Sequence, residues 1–408
     1  MTTQVQEATS GIRSTFPPYP QTERQAEFMA MADELAAITG AQAATHDVQG
    51  TFPFESFQAL RERGYLALTV PEAYGGRGAS PLETMLAQER LAYGNGSVAL
   101  GAQFHLTICA GLADGVRTWP QPILERFYGE VVANGALVNS AASEPALGSP
   151  SRGGMYKTTA VRDGDGWRIN GQKSWTTLAP GLTYALVLLS EIQADGSALR
   201  GNFLVPMQTP GVQVLDNWDN LGMRASGSND VAFDNVWVND DCRLPPSTEV
   251  PNTTVSRWSL LSSAVYLGIA GAARDWTVHY AQNRVPAGAP GPISELPAVQ
   301  QKLAQIEVLL YSARATLYHT IEAWERCPDD REQIGWTFAA AKHLVTNNAI
   351  EITDLCLRVV GAAGMFRAHP LERYFRDVRS GLGNPPIDDI ALSLVAKGAT
   401  RTPPKQGG

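Results

Sequence analysis

The segment from Gly166 to Pro180 combines a strand-like pattern with polar groups that a strand does not need. Trp167 and Ile169 have the two-residue spacing of a half-buried strand, and Asn170-Gly171 then predicts a turn of the chain. An indole can cover a flat ring while a hydroxyl and backbone amides reach polar atoms at its edge, as a flavin isoalloxazine requires. The simpler alternative is a solvated hairpin in which the tryptophan after the turn belongs to the core. The side chains in question are Lys173, Trp175, Thr176 and Thr177.

The composition is that of an ordinary globular protein. The chain has 408 residues, of which 44% are hydrophobic and 18% charged, and this length predicts two or three subdomains. The formal net charge is −8 and the isoelectric point is about 5.4, so we expect no nucleic-acid partner. A phosphorylated small molecule remains compatible, because it needs only one or two local cations.

Neither the cysteines nor the histidines have the spacing of a metal site. The four cysteines are far apart and form no CxxC pair, which argues against a disulfide framework. His105 lies in an apolar helical segment and is predicted to be a packed polar residue. Met1 to Pro20 lacks the apolar run of a signal peptide, and no stretch predicts a membrane-spanning helix. We therefore expect a cytoplasmic protein with no membrane partner.

Helical patterns dominate the first third of the chain, and they predict an α-helical domain over residues 1–135. Gly40, Gly64 and Gly135 are each expected to end a helix, and Ser80-Pro81 to begin one. Residues 65–76 are expected to form a short extended segment and a turn. The predicted helices are Thr22 to Thr39, Phe54 to Arg63, a helix from Ser80, Val98 to Leu112 and Pro122 to Ala133.

Short strand patterns separated by Gly, Asp, Asn and Pro follow, and they predict a small antiparallel barrel or sandwich over residues 136–247. Asp234-Asn235 interrupts the alternation of the last strand and predicts a β-bulge. The predicted strands are Ala136 to Ala142, Thr158 to Arg162, Gly166 to Ile169, Tyr184 to Ser190, Asn202 to Met207, Val212 to Leu215 and Asp230 to Val238.

Long helices return in the last third and predict a helical bundle over residues 248–408. Ser256 to Asn283 carries small residues at helical spacing, which predicts a central helix that others approach closely. Further helices are predicted at Ala298 to Arg326, Arg331 to Val360 and Ile387 to Lys397, and the tail from Thr402 is expected to be disordered. The fold class is therefore α+β, in the order helical, β, helical.

This order, together with five local motifs, resembles the acyl-CoA dehydrogenase superfamily over nearly the whole chain. The resemblance implies an N-terminal helical domain, a middle antiparallel β-barrel and a C-terminal four-helix bundle. The motifs are Leu68-Thr-Val-Pro-Glu-Ala-Tyr-Gly-Gly76, Ser143-Glu-Pro-Ala-Leu-Gly-Ser149, Gly171-Gln-Lys-Ser-Trp-Thr-Thr177, Leu221-Gly-Met-Arg-Ala-Ser-Gly-Ser228 and Leu371-Glu-Arg-Tyr-Phe-Arg-Asp377.

The resemblance also implies roles for individual residues around a flavin. Ser143 matches the hydroxyl residue of a TEP-type turn at the pyrimidine side of the ring, with Ala142 beside it, and Ser149 matches a hydroxyl near phosphates. Trp175 matches the aromatic residue packed on the flavin, and Thr177 the hydroxyl that bonds the flavin N5 atom. Thr176 is expected to contribute to the same site.

Further matches imply contacts to the flavin of a neighbouring subunit. Arg284 matches an arginine that reaches a pyrophosphate, for which its planar fork is suited. Gly361 and Gly364 match parts of a glycine loop near the adenine. Arg358 stands where the family has a glutamine, and Val285-Pro-Ala-Gly288 departs from the family pattern. The expectation is FAD, with FMN as the less favoured flavin, in a homo-oligomer that is a dimer or a tetramer.

The usual catalytic base is missing. Where the family places a glutamate, the chain has Pro385, and the alternative position of that base falls at or near Trp258. A general base normally supplies several powers of ten in rate. Asp388 and Asp389 are candidates for a relocated base, and they are equally suited to the first turn of the last helix. The catalytic residue is thus unknown from the sequence.

Three functions remain compatible with the sequence. The favoured one is α,β-desaturation of an acyl thioester, with hydride transfer to flavin N5, in fatty acid metabolism and with an electron-transferring flavoprotein as partner. It is favoured because Trp175-Thr-Thr177 keeps the dehydrogenase form. The alternatives are a monooxygenase of the same fold, supplied with reduced flavin by a flavin reductase, and a catalytically inactive acyl-binding subunit.

Overall fold

Helix boundaries follow the glycine and proline signals in most of the chain. The computed structural model describes residues 19–145, 155–245, 260–327 and 331–400. The N-terminal helices are α1 (Glu23–Gln49), α2 (Phe54–Glu62), α3 (Pro81–Gly94), α4 (Gly96–Ala113) and α5 (Gln121–Asn134). Gly64 and Gly135 have φ values of 71° and 61°, which favour glycine and end α2 and α5 as expected.

Two features of this region were predicted incorrectly. Helix α1 continues through Gly40 to Gln49. A Cβ atom at Gly40 would lie 3.2 Å from the Gly94 carbonyl oxygen, and one at Gly94 would overlap the Ala36 carbonyl oxygen. These glycines therefore permit a close approach of α1 and α3. Residues 65–76 form 3-10 turns at Tyr65–Ala67 and Glu72–Tyr74, in place of an extended segment.

The middle of the chain forms one eight-stranded sheet within the described residues, with the order β6-β7-β3-β2-β4-β5-β8 and with β1 paired to β4. The sheet is mixed, because β1 and β2 run parallel to β4, whereas the sequence predicted an antiparallel arrangement. The strands are β1 (Val138–Ala141), β2 (Thr159–Asp163), β3 (Gly166–Lys173), β4 (Tyr184–Ile192), β5 (Ala198–Pro206), β6 (Val212–Val214), β7 (Val231–Asn239) and β8 (Arg243–Leu244).

Asn170-Gly171 lies within the continuous strand β3, and the predicted turn is wrong. The register between β3 and β7 shifts between Ile169 and Gly171, opposite the predicted Asp234-Asn235 bulge, which is confirmed. The Asn170 side chain accepts a hydrogen bond from the Asn235 N–H at 2.8 Å. Gly171 has φ 143°, and a Cβ there would lie 2.6 Å from the Thr158 Cα. Strand β3 therefore extends to Lys173, next to the candidate aromatic and hydroxyl residues.

The C-terminal helices pack around α6, as the small residues predicted. The helix α6 contacts α3, α7, α9 and α10. A Cβ atom at Gly268 would overlap the Glu89 carbonyl oxygen of α3. The predicted helix over residues 331–360 is divided at Gly335. The C-terminal helices are α6 (Leu260–Asn283), α7 (Pro297–Arg326), α8 (Arg331–Ile334), α9 (Trp336–Val360), α10 (Leu371–Asp377) and α11 (Asp388–Ala399).

The chain divides into two compact units. One is drawn from Met1–Gly40, Pro81–Gly96 and Thr254–Gly408, and contains the C-terminal helices. The other is drawn from Ala41–Ser80 and Ser97–Thr253, and contains the sheet. We call them the helical unit and the sheet unit. The three-domain boundaries expected from the sequence stay a prediction.

Helix α4 is a core helix of the sheet unit. It is the one helix among the described residues that is long and apolar enough to cross a membrane, whereas the sequence predicted none. However, 83% of its length is buried inside the protein, as in the core helices of soluble proteins. A cytoplasmic location stays a prediction.

Candidate functional site

Three segments of the sheet unit meet beyond the end of β3. The Ser174 N–H donates to the Ser143 carbonyl at 2.9 Å, and the Thr176 N–H donates to the Asn229 carbonyl at 3.1 Å. The Leu178 N–H donates to the Ser226 carbonyl at 3.1 Å. The sequence indicates site roles for the segments of Ser143 and Trp175 only. In the segment of Ser226 it indicates a family motif but no role for the individual residues.

Trp175 is not a core residue. Its side chain is 61% exposed, and its φ of 53° lies in the left-handed region that non-glycine residues rarely adopt. Such backbone strain costs of order 1 kcal/mol or more, and it concentrates at binding sites. The alternative in which this tryptophan fills the core is therefore wrong. The exposed indole can cover the face of a flat ligand.

The hydroxyls of Thr176 and Thr177 have different surroundings. The Thr177 hydroxyl lies 2.9 Å from the Ser228 hydroxyl, which in turn lies 2.7 Å from the Ser226 hydroxyl. All three side chains are buried. The Thr176 hydroxyl is also buried, but it has no hydrogen-bond partner within the part of the chain that the structure describes. An orphaned buried hydroxyl costs free energy, which a ligand atom would recover.

A buried ion pair holds the Ser143 segment against the end of β3. The Lys173 ammonium lies 2.8 Å from a Glu144 oxygen, with the two side chains 0% and 2% exposed. Glu144 also accepts the N–H groups of Lys157 at 2.7 Å and Thr158 at 2.9 Å. The structure therefore joins Ser143, between Ala142 and Glu144, to the strand that leads into Trp175.

The charges of this pair are set by burial and hydrogen bonding. Burial lowers the pKa of Lys173 to about 8, although the bond to Glu144 opposes the shift. Burial alone would raise the pKa of Glu144, but the bonds from Lys173 and the two amides outweigh it, and the pKa is lowered. Both groups are thus charged at neutral pH.

His105 is a packed polar residue, as predicted. Its Nε2 lies 2.8 Å from the Leu66 carbonyl, and its Nδ1 accepts the Val138 N–H at 3.3 Å. A carbonyl can only accept, so the proton is on Nε2 and the ring is neutral. Burial lowers the pKa of His105 to about 4. The ring thereby fixes the start of β1, which leads to Ala142 and Ser143.

We expect the protein to lose stability progressively as the pH falls from 6.5 towards about 4. In this window the unfolded chain binds a proton at His105 and the folded chain does not, so protonation favours unfolding. The measurement is the urea midpoint across this window for the wild type and for His105→Gln, whose amide still offers a donor to Leu66. A variant with the same pH slope as the wild type would contradict the assignment.

The candidate phosphate-binding residues belong to the helical unit. The Arg284 side chain is exposed at the end of α6. The Arg358 guanidinium lies 2.7 Å from the Asp354 carboxylate, one turn earlier on α9. Gly361 ends α9 with φ 72° and has open space where a side chain would project. A Cβ at Gly364 would lie 2.9 Å from a Leu357 methyl group, so this glycine serves packing.

The loop that lacks the family glutamate is fixed by two buried residues of the helical unit. The Asn384 amide donates to the Tyr266 hydroxyl at 2.6 Å, and the Lys342 ammonium donates to the Gly381 carbonyl at 2.9 Å. Burial lowers the pKa of Lys342 to about 8. Pro385 is exposed, and residues 378–387 contain no aspartate or glutamate. The loop is thus well held but carries no carboxylate.

Asp388 lies in the first turn of α11 and accepts hydrogen bonds from side chains of α9. Its carboxylate accepts from His343 Nδ1 at 3.0 Å and from the Asn347 amide at 3.3 Å. Burial alone would raise the pKa of Asp388, but these bonds outweigh it, and the pKa is lowered. A general base works best with a pKa near neutrality, so this shift is unfavourable for that role. Asp389 is exposed in the same turn. Ser149 and Trp258 lie outside the described residues.

Family models agree with this architecture in three successive parts of the chain. The N-terminal, middle and C-terminal domains of acyl-CoA dehydrogenase match residues 22–115, 139–236 and 260–382. The chain belongs to the acyl-CoA dehydrogenase family. Members of this family are flavin-dependent enzymes, which supports a flavin as the cofactor.

Relatives in this family differ in their chemistry. "Putative acyl-CoA dehydrogenase YdbM" of Bacillus subtilis (strain 168) is 38% identical over 377 residues, covering 92% of this chain and 97% of that protein. Amino sugar nitrososynthase RubN8 of Streptomyces rubradiris is 34% identical over 377 residues, covering 87% and 85%. The crystal structure of KijD3 with FMN and a dTDP-amino-keto sugar has a TM-score of 0.82 at 29% identity, covering 97% and 98%.

The candidate residues of the sheet unit are suited to bind a flavin. The exposed Trp175 offers an aromatic face, and the next residue, Thr176, has a buried hydroxyl with no hydrogen-bond partner among the described residues. The Ser143 segment is held beside them. An aromatic face with convergent polar groups is the arrangement that a flat, polar-edged ring requires.

Proposed function

We propose that this protein is a flavin-dependent monooxygenase that oxidises a heteroatom of a small molecule. The observation that carries the proposal is the loop at residues 378–387, which contains no carboxylate. Removal of an α-proton from an acyl thioester requires a base there or nearby, whereas heteroatom oxygenation does not. The similarity to a nitrososynthase and to KijD3 supports the same choice.

The residues of this chain bind and orient the reactants. Trp175 covers the flavin ring, Thr177 bonds its edge and the Ser143 segment supports the pyrimidine side. When bound, a reduced flavin would supply two electrons and two protons, so that one atom of O₂ enters the substrate and the other leaves as water. A flavin reductase is the expected partner, because the oxidised flavin must be reduced again.

We propose FMN as the flavin, in place of the expected FAD. Arg358, which stands where the family has a glutamine, is paired with Asp354. The FMN in the KijD3 complex also supports the smaller cofactor. Acid extraction of the purified protein followed by chromatography distinguishes the two flavins directly. The dimer or tetramer expected from the sequence is tested by light scattering.

An acyl thioester dehydrogenase is the second candidate, favoured by the 38% identity to YdbM and by the Trp175-Thr-Thr177 segment. It would pass electrons to an electron-transferring flavoprotein, and it would need a base elsewhere. An inactive acyl-binding subunit would bind the thioester without reducing the flavin.

The deciding experiment compares two reactions of the flavin-loaded protein. With reduced FMN, O₂ and a panel of amines, amino sugars and sulfides, we expect a product that gains one oxygen atom, detected by mass spectrometry. With acyl-CoA thioesters under anaerobic conditions, we expect no bleaching of the oxidised flavin. Bleaching by one thioester class, with no oxygenated product, would overturn the proposal in favour of the dehydrogenase.

Asp388→Asn should leave the turnover number within about two-fold of the wild type and lower stability by about 1 kcal/mol, as expected for the weakening of partly exposed hydrogen bonds. The physical reason is that Asp388 binds His343 and Asn347 and is not a base. Steady-state kinetics and thermal unfolding measure the two effects, with Asp389→Asn as the neighbouring control. A turnover reduced a hundred-fold in Asp388→Asn alone would identify it as the relocated base.

A further inference from the structure

Three buried hydroxyls form a row that ends at Thr177. The Ser226 and Ser228 oxygens are 2.7 Å apart, and the Ser228 and Thr177 oxygens are 2.9 Å apart. Each hydroxyl has one proton to donate and two lone pairs to accept. Two hydrogen bonds therefore use two of the three protons, and the third proton is at one end of the row whenever Ser228 donates one of the two bonds.

The direction of the row decides what Thr177 offers to a ligand. If Ser226 donates to Ser228 and Ser228 donates to Thr177, the Thr177 proton is free to donate outward. If Thr177 donates to Ser228 and Ser228 to Ser226, Thr177 offers only lone pairs, and the free proton is on Ser226. The two arrangements interconvert by rotation of hydroxyls, with no proton gained or lost.

We propose that Ser228 and Ser226 are positioning residues that let Thr177 alternate between donor and acceptor as the flavin changes oxidation state. In oxidised flavin N5 is a hydrogen-bond acceptor, and in reduced flavin it carries a hydrogen and is a donor. When N5 becomes a donor, the Thr177 proton can no longer be donated to N5 and needs another acceptor. The Ser228 hydroxyl is that acceptor inside the protein. The inference rests on the proposed contact between Thr177 and the flavin.

The backbone holds the row in place. Gly227, between the two serines, has φ 58°, and a Cβ there would lie 2.7 Å from the Phe52 ring and 2.8 Å from Pro180. The Ser226 carbonyl accepts the Leu178 N–H, and the Asn139 amide donates to the Thr177 carbonyl at 2.8 Å. These bonds fix the main chain on both sides, so the direction of the row can reverse by rotation of the hydroxyl groups without movement of the main chain.

The test compares Ser228→Ala, Thr177→Val and the double variant in the flavin-loaded protein. The readouts are the N5 resonance of 15N-labelled flavin in the oxidised and reduced states, the flavin dissociation constant in each state, and the rate of flavin reduction by dithionite. We expect Ser228→Ala to move the N5 resonance in the same direction as Thr177→Val in both states. It should slow reduction about five- to ten-fold, the size of one lost hydrogen bond. The double variant should resemble Thr177→Val, because the two residues act in one row.

Ser56→Ala is the matched control, because Ser56 is a buried serine of the sheet unit with no hydrogen-bond partner among the described residues. It should change none of these readouts. An unchanged N5 resonance in Ser228→Ala, with a changed one in Thr177→Val, would overturn the row and leave the Thr177 contact intact. If neither variant moves the resonance, both the row and the proposed Thr177 contact are overturned.

Discussion

Glu144→Gln is expected to lower the free energy of unfolding by about 3 kcal/mol, and the same loss is expected for Lys173→Met. Lys173 and Glu144 are 2.8 Å apart with almost no exposure to solvent. Removing either charge leaves the other buried without its partner, and the desolvation penalty of that group is no longer compensated. The effect is therefore much larger than the loss of a surface ion pair.

The double variant separates the interaction from the burial of each group. The variant that combines Glu144→Gln with Lys173→Met removes both charges. Its loss of unfolding free energy should therefore be smaller than the sum of the two single losses. Asp163→Asn is the surface control, because it breaks the partly exposed pair with Arg168 in the same unit and should cost less than about 1 kcal/mol. Urea unfolding measures all four proteins.

Flavin titration completes this test. Because Glu144 holds the Ser143 segment, flavin affinity should fall in Glu144→Gln at temperatures where the variant is still folded. If Glu144→Gln and Lys173→Met lost no more unfolding free energy than Asp163→Asn, the two charges would not be buried together as described.

Gly268→Ala is expected to destabilise the helical unit by about 3 kcal/mol, although alanine favours a helix by about 1 kcal/mol over glycine. The new Cβ would overlap the Glu89 carbonyl oxygen and lie 2.9 Å from the Ala92 Cβ of α3. Backbone cannot move aside as a flexible side chain does, so α3 and α6 must separate along their contact. Thermal unfolding measures the loss.

Gly271→Ala, one turn later on the same helix, is the matched control. Its Cβ would lie 3.4 Å from a terminal nitrogen of Arg314, an ordinary contact with a flexible group. We expect this variant to equal or exceed the stability of the wild type, because only the propensity gain remains. Equal losses in both variants would refute the close packing at Gly268.

Local sequence signals predicted much of the fold. They failed where a contact with a distant segment of the chain determines the local structure. Gly135 ends α5 as its sequence context suggests, because a glycine with positive φ after a helix is a local property. Gly40 looks the same in sequence but lies inside α1, since its role is the approach of α3. Asn170-Gly171 resembles a hairpin turn but continues β3, because β7 supplies its partner from more than sixty residues later along the chain and carries the bulge at Asp234-Asn235.

In the candidate site too, the sequence indicated what is local and missed the contacts between distant segments. Trp175, Thr176 and Thr177 are candidates from the sequence alone, because an aromatic residue followed by two hydroxyl residues is visible there. The row from Thr177 to Ser226 was missed, because its members come from two segments that only the folded sheet brings together. The partner of Lys173 was missed for the same reason, although Glu144 belongs to a motif that had been noticed.

Glu144 also has a consequence for how this protein can diverge in evolution. One carboxylate receives hydrogen bonds from Lys157 and Thr158 on one side of residues 146–154 and lies itself on the other side. The described residues on the two sides of that segment are therefore joined through one side chain. Because the Lys173 ammonium would otherwise be buried without a partner, a lineage that replaces Glu144 must change Lys173 as well. The two residues are expected to be kept together or replaced together.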